Sequence, residues 1–144
     1  MARSKIIGLY LFIFLLCAVS LAHAWYSDYD YKAVITINSG VNGTLTNFVG
    51  YAQLNTSALI AAGKMQADCD DIRVVNGTNV LYYEVENCGG NKTIVWFMIP
   101  SLAAGNQTYD LYYSKSDATN GQNATLLWST AGYSAVWHAA NNSD

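Results

Sequence analysis

The sequence predicts an all-β protein: an antiparallel, jelly-roll-like β-sandwich with at most one short helix, preceded by an N-terminal signal helix. Three observations predict it. Short runs alternate apolar and polar residues, turn-forming residues separate them roughly every 8 to 15 positions, and only one patch, after Thr56, reads as helical. The composition agrees, because beyond residue 24 the chain carries ten Tyr, four Trp and many Asn, Thr and Gly, the residues of strands and turns.

Arg3 and Lys5 form a short positive region, Ile6 to Val19 is apolar apart from Gly8, and Ala22-His23-Ala24 is a small-x-small cleavage signal. Residues 1–24 therefore read as a signal peptide cut after Ala24. The apolar run falls short of the ~20 residues that span a bilayer, so an uncleaved anchor is the one membrane attachment this reading leaves. Cys17 follows Phe14-Leu15-Leu16 rather than small residues, does not fit a lipoprotein site, and leaves with the leader.

Tyr31 to Asn38 places Tyr31, Ala33, Ile35 and Ile37 on one face and Lys32, Thr36 and Asn38 on the other, a half-buried strand. Ser39-Gly40 and Asn42-Gly43-Thr44 mark a turn, and Phe48 to Leu54 is a second strand. Thr56-Ser57 offer a helix cap before Ala58 to Ala62, which Gly63 ends. Ile72 to Val75 and Val80 to Val85 flank Asn76-Gly77 as a hairpin with a four-residue connection. Ile94 to Ile99 is apolar on both faces and belongs mid-sheet, with Pro100 ending it. Gln107 to Tyr113 is a further strand, and Tyr133 to Trp137 is a candidate for one more.

Without the leader, 120 residues remain, enough for one domain with its own core. The expected division is 1–24 signal peptide, 25–115 sandwich, and 116–144 a loop with a further segment. The mature charge is 5 Lys/Arg minus 10 Asp/Glu, or −5, without a basic stripe, which argues against nucleic acid and anionic membranes as partners.

Seven Asn-x-Ser/Thr triplets, at Asn42, Asn55, Asn76, Asn91, Asn106, Asn123 and Asn141, exceed the about two expected from composition. They point to N-glycosylation and an extracellular or cell-surface location. In that oxidising compartment Cys69 and Cys88 are expected to pair, cross-linking the open ends of the hairpin. A Cys-x-x-Cys redox pair is absent, and His138 is the one histidine after the leader, too few ligands for a zinc site. A Ser or Cys triad is set aside because His138 stands near the C-terminus and no nucleophile elbow surrounds a serine.

Glu84 and Glu86 stand two apart on a strand and point to one side, a spacing open to glycosidase chemistry but also to an ordinary solvent-facing strip. The chain accordingly reads as a non-enzyme, with a glycosidase as the catalytic alternative. Asp68, Asp70 and Asp71 suggest calcium, yet the EF-hand template fails because Ile72 and Arg73 fall where a ligand and Gly are needed. A charged turn with Arg73 paired to a neighbouring aspartate is the plainer account, and no other cofactor is implied. Tyr82, Tyr112 and Trp25, with Glu84, are the candidates for stacking on and bonding to a sugar, against the ordinary packing role of aromatics in a β domain.

Trp25-Tyr26, Tyr31-Lys32 before Ile35-Thr36-Ile37, Asp71-Ile72-Arg73, Leu81-Tyr82-Tyr83-Glu84-Val85-Glu86, Trp96 with Ile99-Pro100-Ser101-Leu102, and Leu111-Tyr112-Tyr113 stand in an order that resembles the domain of unknown function 2341 family of archaeal and bacterial surface proteins. The resemblance covers about residues 25 to 115 and lends no catalytic residue. Gly132 to His138 is similar to the opening of a concanavalin A-like, laminin-G-type lectin domain, here expected to be a truncated start. Together these readings lead to the expectation of a secreted adhesion or carbohydrate-recognition module that meets glycans or other surface proteins. A structural subunit of a surface layer, sheath or filament, acting by self-association, is the alternative.

Overall fold

The structure, a computed structural model, describes residues 26–137. The signal peptide, Trp25, His138 and Asn141 lie outside the described residues. The fold is all-β and antiparallel: β1 (Tyr31–Leu54), α1 (Thr56–Ala61), β2 (Arg73–Asn76), β3 (Asn79–Val80), β4 (Tyr83–Glu86), β5 (Thr93–Tyr113) and α2 (Ala124–Thr130). Two short helices are present where one at most was expected.

A long ribbon of β1 and β5 organises everything else. The two pair from Tyr31↔Tyr113 to Leu54↔Thr93, with a shift of register between Ser39 and Thr44. The strands expected at 31–38 and 48–54 are thus halves of β1, and those expected at 94–99 and 107–113 are halves of β5. The expected turn at residues 39–44 is a bulge inside β1, where Gly43 sits at φ +107, and β5 bends at Gly105, φ +89, the partner of Ser39. Pro100 lies inside β5 rather than ending it. Ile99 and Ser101 pair with Phe48 and Thr46, and between those partners Asn47 adopts φ 54, so the irregularity sits where proline has no N–H to offer the ladder.

The ribbon folds back on itself at this irregular zone. Phe97 and Tyr109 are twelve residues apart on β5, about 40 Å if the strand ran straight, yet their ring centroids lie 5.5 Å apart. On β1, a Cβ added to Gly50 would lie 3.2 Å from Cδ1 of Ile37 and 3.0 Å from Cδ1 of Ile99. The first layer holds the N-terminal half of β1, the C-terminal half of β5, β2 and β3. The second holds the other halves and β4. Ile72, Val74, Tyr83, Val95, Phe97, Ile99, Tyr109 and Leu111 fill the space between them.

The expected hairpin is divided between these layers. β2 and β3 join through a two-residue turn, Gly77-Thr78, pairing only Val75↔Val80 and Asn76↔Asn79. After Leu81, whose N–H still bonds the Val74 carbonyl, the chain crosses over, and Tyr83 to Glu86 pair with Phe97 to Ile94. Tyr83 drives the crossing, because its ring is fully buried and its hydroxyl donates to the Ile72 carbonyl at 2.6 Å.

The disulfide Cys69–Cys88 forms as expected, with a Cα–Cα distance of 6.0 Å, but its meaning changes. Cys69 precedes β2 in the first layer and Cys88 follows β4 in the second, so the bond staples the two layers at their open end. Beside it Thr56 and Thr93 bury their hydroxyls against one another, and Thr56 Oγ1 also bonds the Gly89 N–H and the Gly90 carbonyl. Asn55, rather than Thr56 or Ser57, caps α1 by accepting from Ala58 N, and Gly63 at φ +66 follows the helix. Tyr133 to Trp137 form no strand.

Candidate functional site

The outer face of the second layer carries the most developed surface. The register places Tyr51, Trp96 and Glu84 in one row across β1, β5 and β4, and Gln53, Ile94 and Glu86 in the next. Strand alternation turns these residues outward, because Val95, Phe97 and Tyr83 between them point into the core.

α2 completes the row. Gln122 Oε1 accepts the Val85 N–H at 2.7 Å, and the Asn123 N–H bonds the Tyr83 carbonyl at 2.9 Å, so the chain before α2 occupies the outer edge of β4. Asn123 caps the helix by accepting from Leu126 N at 3.0 Å, and Leu127 is fully buried beneath it. Trp128 is thereby set beside Trp96. The centroids of Tyr51, Trp96, Trp128 and Tyr133 follow one another at 5.4, 5.8 and 5.5 Å, with the two outer rings 60% and 54% exposed.

Both carboxylates are held by this row. Trp96 Nε1 donates to Glu86 Oε2 at 3.0 Å, and Trp128 Nε1 donates to Glu84 Oε2 at 2.6 Å. A cleft of about 340 Å³, lined by Glu84, Trp128, Ser129 and Tyr133 among others, opens beside them. Flat π-faces next to fixed acceptors are the chemistry a sugar ring needs, C–H on one side and hydroxyls at the rim.

The candidates named from the sequence occupy three separate surfaces. Glu84 belongs to the row just described. Tyr82, 42% exposed, sits at the crossover by a groove lined by Asn47, Asn76, Met98 and Pro100. Tyr112 lies on the outer face of the first layer between Lys32 and Arg73, with Tyr26 and Tyr29 packed over it at centroid distances of 5.0 and 6.1 Å. Burial pushes the Tyr26 and Tyr29 hydroxyls above their ordinary pKa there.

Tyr51, Trp96, Trp128 and Tyr133 are the residues that sequence reasoning missed as a group. Their signal is weak, since four rings from two strands, a helix and a loop meet only once the register is known.

The acidic turn has a structural employment. Asp71 is fully buried and accepts from the N–H groups of Gln66 and Ser114, at 3.2 and 2.8 Å, while Asp68 Oδ1 accepts from Asp70 N. Arg73 is not paired with an aspartate carboxylate as expected. Its guanidinium donates to the carbonyls of Asp70, Ile72 and Thr119 and to the Tyr83 hydroxyl. Among the described residues no group of three or more His, Cys, Asp or Glu is arranged to hold a metal.

Of the sequon asparagines, Asn42, Asn55, Asn76, Asn91 and Asn106 are exposed and Asn123 is half-buried. Asn55 and Asn123 use the side-chain oxygen for capping, which leaves the nitrogen as the atom a glycan would take.

Residues 68–131 match the family described as Domain of unknown function (DUF2341). The matched segment includes Glu84, Glu86, Trp96 and Trp128 and leaves out Tyr51 and Tyr133. No curated protein matches the chain, and no solved structure does.

Proposed function

We propose that this chain, whose residues 68–131 belong to the DUF2341 family, is an exported, N-glycosylated module that binds carbohydrate without catalysis through the outer face of its second layer. The aromatic row Tyr51–Trp96–Trp128–Tyr133, flanked by two carboxylates held by indole N–H groups, carries this reading. Rings at successive spacings near 5.5 Å, inclined to one another by 52°, 57° and 82°, offer a stepped aromatic surface, and Glu84 and Glu86 supply hydroxyl acceptors along it. The seven sequons and the leader sequence support export, and the Cys69–Cys88 bond is consistent with an oxidising compartment.

A glycan array probed with the chain without its leader tests the proposal. Binding should be lost at least tenfold in Tyr51→Ala and Tyr133→Ala, whose rings are exposed and replaceable, and retained in Tyr82→Ala and Tyr112→Ala. Equal binding in all four variants, or none by the unsubstituted chain, rules the strip out.

A further inference from the structure

Among the described residues β1 pairs with β5 alone, so one edge of the sandwich is an unpaired strand of 24 residues that runs through both layers. Proteins ordinarily blunt such edges with lysines, prolines or short length. After Lys32 the bulge at residues 39–44 and the left-handed Asn47 interrupt the edge, whereas Phe48 to Leu54 carry no lysine, proline or bulge. From Ala33 to Gly63, 31 consecutive residues include no Asp, Glu, Lys, Arg or Pro. An apolar cleft of about 310 Å³, lined by Thr36, Ile37, Phe48, Val49, Gly50 and Tyr51, opens on this side, and Phe48 is 40% exposed at it.

The geometry points to a second copy of this chain as the occupant, joined antiparallel, β1 to β1, about a two-fold axis at Tyr51. Charge selects the partner. Without its leader the chain is acidic, 5 Lys/Arg minus 10 Asp/Glu or −5, and every charged side chain of residues 26–137 lies outside the stretch from Ala33 to Gly63. Two identical copies therefore meet here without repulsion, whereas a charged partner finds no counter-charge.

The register follows from what bounds the regular part of the edge. Asn47, at φ 54, interrupts the strand on one side, and Asn55 begins the α1 cap on the other. The seven residues Phe48 to Leu54 between them have Tyr51 at their centre. A two-fold pairing puts Tyr51 opposite Tyr51 of the second copy, Val49 opposite Gln53 and Phe48 opposite Leu54.

One consequence deepens the carbohydrate reading and rests on it. The row Tyr133–Trp128–Trp96–Tyr51 runs across the strands and ends at this edge, so pairing at Tyr51 joins two rows into one strip of eight rings along a continuous sheet. A strip of that length suits a polysaccharide chain better than a short oligosaccharide.

Sedimentation equilibrium of the chain without its leader tests the pairing, and array binding of long and short glucans, chitin or mannan fragments tests the strip separately. The unsubstituted chain should dimerise. Gln53→Lys and Val49→Glu should each weaken the dimer at least tenfold, and the two together should restore it, because the register sets them opposite one another across the axis. Where a glycan binds, Gln53→Lys should weaken the long form tenfold or more and leave the short form unchanged. A monomeric unsubstituted chain, a dimer indifferent to Gln53→Lys, or a double variant no better than the single ones overturns the pairing. Loss of sugar binding with an intact dimer would fall on the carbohydrate reading instead.

Discussion

Arg73 donates through Nη1 to the Tyr83 hydroxyl at 2.9 Å, and that hydroxyl donates onward to the Ile72 carbonyl at 2.6 Å. The relay ties β4, in one layer, to the start of β2 in the other, and the same Arg73 reaches the Thr119 carbonyl in the segment that leads to α2. Three parts of the chain are held by one guanidinium and one phenol.

Removing the phenol oxygen in Tyr83→Phe leaves the ring packed and takes away two hydrogen bonds, while Arg73 Nη1 still donates to the Ile72 and Asp70 carbonyls. Chemical denaturation should show a loss of about 1–3 kcal/mol with an unchanged m-value.

The same hydroxyl gives a pH signature. Burial, partly opposed by the Arg73 charge, pushes its pKa from 10.0 up to about 12. The unfolded chain therefore gives up this proton first. The contribution to stability is whole below about pH 10 and is lost as the pH rises from 10 through about 12. Absorbance at 295 nm should show a late-ionising tyrosine that Tyr83→Phe abolishes.

Reduction of Cys69–Cys88, or Cys88→Ser, should cost about 3 kcal/mol by the loop-entropy account for residues 19 apart. Denaturation with and without reductant measures it.

Gly50 faces Ile37, Ile99 and Phe97 where the layers come closest. Gly50→Val inserts atoms into a space already filled and should destabilise by about 1–3 kcal/mol in a thermal melt.

Asn55 combines two roles that substitution can separate. Asn55→Asp keeps an oxygen for the Ala58 N–H and removes the glycan acceptor, so the mass added by glycosylation should fall with little change in stability. Asn55→Ala removes both and should cost about 1 kcal/mol.

The strands themselves were legible in the sequence. Tyr31 to Asn38 and Gln107 to Tyr113 alternate because one face of each is core, and Cys69 with Cys88 announced their bond. What alternation cannot express is continuity. Gly40, Asn42 and Gly43 look the same whether they reverse a chain or only bulge it, and Pro100 looks like a terminator unless Asn47 is known to stand beside it. The run from Val80 to Val85 was divided by a tertiary demand, the burial of Tyr83, that no local pattern carries. α2 was missed because Ala124 to Thr130 buries a single residue, Leu127, too few to show a period. The aromatic row was hidden for a related reason. Trp96 sat in a run read as doubly covered, and the ring beside it arrives 32 residues later in the chain, where the sequence reads as a loop.

Because β1 and β5 each serve both layers, the molecule has no seam along which one half could come away while the other stayed intact. Amide protons at Val95 and Leu111, one in each layer, should exchange with solvent only through the same global opening, at the same rate and with the same dependence on denaturant. A domain made of a single folded ribbon either keeps all its strands or surrenders them together.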